Sequence, residues 1–182
     1  MSYFTTLRSR PAGQAHRPLL AARRLVLIDI ENIAGQARLR APNVAEAMAR
    51  LASGIDLTTH DDLVIAADIG NAVEAFFEAP PCARRLMGTG PDGADLQLLE
   101  VLLTERIAGR YDTVVIASGD GIFADIAVDL RAQGLTVISA SLMRSTSIRL
   151  RLAVDNTVYL DGSDVMTRMQ EQARSGAPSA AA

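Results

Sequence analysis

The sequence contains no tryptophan, no lysine and only one cysteine, and aromatic residues make up 4% of it. Each shortage excludes something. Without lysine, no mechanism that turns on a catalytic lysine is open. With Cys82 alone, neither an internal disulfide nor a thiolate zinc site can form, because both need several thiols. A reducing cytoplasm is therefore the expected compartment. So few aromatics argue against a base-stacking platform of the kind RNA-recognition sheets carry. No apolar run approaches the roughly 20 residues that span a bilayer, and the longest, residues 25–30, is strand-sized. The first twenty residues lack a compact apolar segment of signal-peptide type, so neither secretion nor a membrane is expected.

What remains is the composition of one globular domain. At 182 residues and 49% hydrophobic, the chain can bury one sizeable core but not two. Net charge is −3, and every basic residue other than histidine is an arginine. Residues 1–22 hold Arg8, Arg10, His16 and Arg17 with no acid, broken by Pro11, Gly13 and Pro18. They read as a flexible basic arm, and the prolines interrupt the amphipathic helix a transit peptide would need. Residues 163–182 read as the end of a helix followed by a disordered Ala/Ser/Pro tail. The domain proper is expected at 23–162.

Within it, continuous apolar runs alternate with helical patterns. Residues 24–30 and 62–68 are β-branched runs of the sort buried on both faces of a sheet. Further strands are expected at 84–87, 111–117, 135–139 and 157–160. Helices are expected at 43–51, 73–77, 94–108, 123–133 and 147–154, with Phe76 and Phe77 in the core and Cys82 buried or half-buried. This alternation predicts a three-layer, Rossmann-like α/β fold. Its sheet is mostly parallel, of about five to six strands, with helices on both faces.

In such sheets ligands bind beyond the carboxyl ends of the strands. Asp29 closes the first strand, Glu31 and Asn32 follow it, and Asp68 closes the second. Asp95 opens the long helix, and Asp120 follows a strand in Ser118-Gly119-Asp120, with Asp125 about one helical turn on. Any one of these aspartates could be a helix cap. Several at one edge repel each other unless a hard cation such as Mg²⁺ or Mn²⁺ joins them, and such an ion can activate water. The run Gly88-Thr89-Gly90-Pro91-Asp92-Gly93 spells a dinucleotide fingerprint, but Asp92 would oppose a pyrophosphate, so it reads as a loop into the helix. A haloacid-dehalogenase-type phosphatase is disfavoured by Asp29-Ile30-Glu31, where that family has Asp-x-Asp, and by the missing lysine.

Three segments carry a more specific resemblance: Leu27-Ile-Asp29-Ile-Glu-Asn32, Asp92-Gly-Ala-Asp95, and the strand ending in Ser118-Gly-Asp120-Gly-Ile-Phe123. In order and spacing they resemble the NYN domain, a branch of the PIN-like metal-dependent ribonucleases. The resemblance implies a ribonuclease using Mg²⁺ or Mn²⁺, with Asp29, Asp95 and Asp120 as ligands and Asn32 on a water or the scissile phosphate. It departs in two places: Ile122 stands where the family has a second aspartate, and Asp92 where it has a lysine. Asp125 or Asp92 could make good the lost ligand. The alternative is a non-catalytic RNA- or protein-binding module with a degenerate metal site. Arg144, Ser145, Arg149 and Arg151 are candidate RNA contacts, and a homodimer is left open.

Overall fold

The computed structural model describes residues 22–162. All but the last residue of the expected arm, and the whole of the expected tail, lie outside the described residues. Six strands form one all-parallel sheet: β1 (Arg24–Asp29), β2 (Asp62–Asp68), β3 (Arg84–Gly88), β4 (Thr113–Ala117), β5 (Thr136–Ser141) and β6 (Asn156–Tyr159). Their order is β3-β2-β1-β4-β5-β6. The helices are α1 (Ile30–Ala34), α2 (Ala41–Gly54), α3 (Ala72–Glu78), α4 (Gly93–Thr104), α5 (Ala124–Ala132) and α6 (Ile148–Ala153).

The sheet divides its side chains by the parity of the strand period. Val26, Ile28, Leu63 and Ile65 face one layer with Val44, Ala47 and Leu51 of α2. Leu25, Leu27, Val64 and Ala66 face the other, with Leu98 and Val101 of α4, Ile126 and Leu130 of α5, and Leu150 of α6. Asp29 belongs by parity to the second face. The last residue of β1 therefore turns a carboxylate, not a methyl group, toward the start of α4.

Two expectations are corrected at the margins of this core. Phe76 is half-buried, but Phe77 is 84% exposed. The short helix α3 buries Ala72 and Ala75, which turns Val73 and Phe77 outward together, one turn apart. Cys82 is likewise exposed, in the turn between α3 and β3. The helix α1 is an addition: the chain turns helical at Ile30, where the sequence reads as strand.

The glycine run between β3 and α4 is a packing device. A Cβ on Gly88 would lie 2.1 Å from the carbonyl carbon of Gly93, so the strand end and the helix start touch backbone to backbone. That approach fixes where α4 begins. Gly88→Ala is expected to cost about 2–3 kcal/mol or more, as overpacking against rigid backbone does, read by denaturant unfolding. A neutral substitution would show that the junction can give.

Candidate metal centre at the strand switch point

From β1 the chain moves outward to β2 and β3, then returns across the sheet to β4, so strand order reverses between β1 and β4. The diverging connections leave a crevice at that point. A cleft of about 880 Å³ opens there, lined among others by Asp29, Asn32, Asp68, Asp92, Asp95 and Arg144.

Asp29 is 5% exposed. Its Oδ1 accepts the Asn32 N–H at 3.2 Å and so caps α1. Its Oδ2 accepts the Ser118 hydroxyl at 3.1 Å, across from the end of β4. The Ser118 oxygen in turn accepts the Asp120 N–H at 3.1 Å. Gly119 between them donates its N–H to Asn32 Oδ1 at 2.9 Å. Only glycine fits there, because a Cβ would lie 2.4 Å from the Ser145 carbonyl oxygen. Ser-Gly-Asp thus joins β4 to β1 and to the segment after β5. The Gly119 bond also fixes the Asn32 amide: an N–H must meet oxygen, which leaves Nδ2 without a hydrogen bond among the described residues.

Asp95 sits in the first turn of α4, where the helix N-terminus favours negative charge. Burial nevertheless raises its pKa to about 6; a hydrogen bond from Asp29 pulls it down, and the charges of Asp120, Asp92 and Glu31 push it up. Asp29 is raised well above the usual carboxylate range, first by burial and then by the nearby Asp95 charge. Of the two, Asp29 is the more deeply buried.

Asp95 Oδ1 and Glu31 Oε2 are buried without hydrogen-bond partners. Carboxylate oxygens gathered at one edge, two of them buried without a partner, form a donor set that suits Mg²⁺ or Mn²⁺. Among the described residues, however, no three acidic, histidine or cysteine side chains converge closely enough to form a metal cage. A cation here would draw its remaining ligands from water or from a phosphate.

The other expected residues divide. Asp120 is exposed, caps the short 3-10 turn Gly121–Phe123 through the Ile122 N–H at 2.9 Å, and reaches Asp95 by its charge. Asp92 lines the cleft. Asp125 pairs with Arg149 at 3.2 Å, both largely exposed, and neither lines the cleft. Ile122 packs against the α4/α5 core. Arg144 and Ser145 line the cleft, and Arg151 is exposed on α6. The sequence reading passed over Asn71 and gave Glu31 no role. Glu31 Oε1 accepts the Asp68 N–H at 2.8 Å and Asn71 Nδ2 at 3.0 Å, which ties the ends of β1 and β2 together. The acid beside Asp29 was a signal for Glu31. Asn71 stands at the N-cap of α3, but its side-chain partners lie more than thirty positions away.

The family model for the NYN domain matches residues 23–161. A search of curated proteins finds no match. Among solved structures, the chain is similar to a protein of unknown function from Vibrio parahaemolyticus. The TM-score is 0.55 at 18% identity, over 77% of this chain and 93% of that one. That likeness is one of fold.

Both carboxyls hold protons more tightly folded than unfolded. The stability this pair contributes is therefore fully present below their ordinary pKa of 3.8 and is lost as pH rises through their raised folded values, about 6 for Asp95. In chelator, the thermal midpoint of the wild type is expected to fall as pH rises from about 4 through about 6. Asp95→Asn should flatten that fall and raise the midpoint at the upper end. A wild-type midpoint that is level across this range would remove the charge conflict from the account.

Proposed function

The chain belongs to the NYN domain family, a PIN-like nuclease family, and from that premise we propose that it is a metal-dependent ribonuclease. The observation that carries the proposal is the Asp29–Asp95 pair at the switch-point cleft, Asp29 buried and Asp95 half-buried, both held above the usual carboxylate range by burial and by neighbouring negative charge. Asp29, Asp95 and Asp120 would hold Mg²⁺ or Mn²⁺, with Asp92 as a further oxygen donor at the rim. The bound ion would polarise a phosphoryl oxygen and supply a water activated for attack.

The chain's own groups do the rest. Ser118 and the Asn32 N–H fix both oxygens of Asp29, so its carboxylate needs no reorganisation on binding. Asn32, its oxygen committed to Gly119, offers Nδ2 to a phosphate oxygen of the substrate. Arg144, which forms no ion pair among the described residues and lines the same cleft, adds a cationic contact. Burial of Asp29 keeps bulk water from its carboxylate.

Ile122 favours a second reading. Its side chain is committed to the hydrophobic core where the family pattern has an acid, so a module that binds RNA without cutting it is the alternative. Cleavage of a labelled RNA with Mn²⁺ separates the two. The wild type should cut, and Asp29→Asn and Asp95→Asn should each lose about a hundredfold or more in rate, as loss of a group acting on transition-state charge does. Asp120→Asn should lose less, since that carboxylate is exposed. RNA that binds the wild type but stays intact, in Mg²⁺ and in Mn²⁺ alike, would establish the binding module instead.

A further inference from the structure

Where the arginines find partners is uneven across the molecule. Away from the cleft they are engaged: Arg24 with Asp61, Arg84 and Arg110 with Glu105, Arg131 with Asp155, and Arg85 with a set of backbone carbonyls. Among the described residues, Arg38, Arg40, Arg106, Arg144 and Arg151 have no hydrogen-bonded or ionic partner through their side chains, and all five are exposed. Three of those five flank the cleft. Arg144 lines it, and Arg38 and Arg40 lie on the connection from α1 to α2, whose residues Gln36 and Ala37 line it too. An exposed arginine left unpaired in a chain with net charge −3 is available to an external anion.

The connection that carries Arg38 and Arg40 is held in place. Asn71, 5% exposed, donates Nδ2 to the Ala37 carbonyl at 2.9 Å and accepts the Leu39 N–H on Oδ1 at 3.0 Å. Leu39 is buried between the two exposed arginines. One carboxamide therefore grips the backbone on both sides of Arg38, and the same Nδ2 reaches Glu31 beside the acidic floor. The position of the two cations is set relative to Asp29 through a single buried residue.

We propose that the Asn71-clamped segment 36–40 is a phosphate-binding ridge that, with Arg144, carries the backbone of a single-stranded RNA out of the cleft. This rests on the ribonuclease reading for its choice of polymer. A single strand fits because Asp29 lies at the floor of a cleft, 5% exposed, where a flexible backbone can dip between two rims. The cleft lining named for it contains no aromatic side chain, so recognition there runs through phosphate and sugar and is tolerant of sequence.

The test is binding of a fluorescent single-stranded RNA oligonucleotide to the full chain in chelator, by anisotropy, across a range of salt. Arg38→Ala/Arg40→Ala should weaken binding about tenfold or more at low salt and reduce the salt slope by about 1.4, two contacts at roughly 0.7 each. Arg38→Lys/Arg40→Lys should restore most of the slope. Arg106→Ala, remote from the cleft, serves as the control and should change neither. An unchanged slope in the double alanine variant, or an equal loss in Arg106→Ala, overturns the ridge. Tighter binding of a duplex than of the single strand overturns the choice of substrate. Mn²⁺-dependent hydrolysis of bis(p-nitrophenyl) phosphate, measured in parallel, keeps the two readings apart. Hydrolysis without ridge-dependent RNA binding sinks this inference alone, and ridge-dependent binding without hydrolysis sinks the catalytic reading alone.

Discussion

Asp29 ends a central strand with both carboxylate oxygens already engaged, one by the N–H that starts α1 and one by Ser118 at the end of the neighbouring strand. Into this fixed position α4 delivers a second carboxylate, Asp95, from its first turn. Burial and neighbouring negative charge hold both acids above the usual carboxylate range, so ionising the two together without a cation is disfavoured. A core that needed only stability would have an apolar residue at the end of β1, matching Leu25 and Leu27 on the same face. The molecule instead keeps a charge conflict at the point where its strand order reverses. Such a conflict is retained where a positive ligand resolves it.

The surrounding structure is arranged to hold that conflict in one geometry. The close approach of Gly88 to Gly93 fixes the start of α4, and hence Asp95. Gly119 lets the loop after β4 press against Ser145 while its N–H orients Asn32. Glu31 and Asn71 tie in β2 and the α1–α2 connection. All of these links but the Gly88–Gly93 approach join segments far apart in sequence, so the site is tied together across the sheet. Pre-set donors and charges of this kind serve chemistry on a phosphate better than mobile ones, because nothing need reorganise as charge develops.

The strands were legible because a parallel sheet buried on both faces demands unbroken apolar runs, and residues 24–29 and 62–68 supply them. The acidic edge was legible because strand ends and helix starts are visible in the same pattern. The sequence conceals whatever depends on contact across distance. Helix α1 is five residues long and carries no amphipathic period; its cap is Asp29 itself, which reads equally as the end of a strand. Phe77 looks like core by composition, yet α3 buries only alanines and turns it outward. Asp125 and Arg149 look like site residues by position, and they satisfy one another at the surface. Asn71 reads locally as the cap of α3, while its side chain is spent on the distant α1–α2 connection and Glu31.

On the ribonuclease reading, Ile122 is the departure that bears most on the site. It packs on the layer built by α4 and α5, next to the loop that carries Asp120. An acid there would leave that contact and add one more negative charge near Asp95, whose ionisation already works against Asp120, Asp92 and Glu31. The isoleucine therefore eases the charge conflict in the free protein and ties the Asp120 loop to the core, at the cost of one oxygen donor. The number of carboxylates near Asp95 stays high regardless, because Asp92 stands where the family pattern has a lysine. Exchanging a lysine for an aspartate while exchanging an aspartate for an isoleucine moves negative charge from the β4 side of the cleft to the α4 side. A cation drawn to the cleft would then lie nearer the helix start and the Glu31 wall than the Asp120 loop.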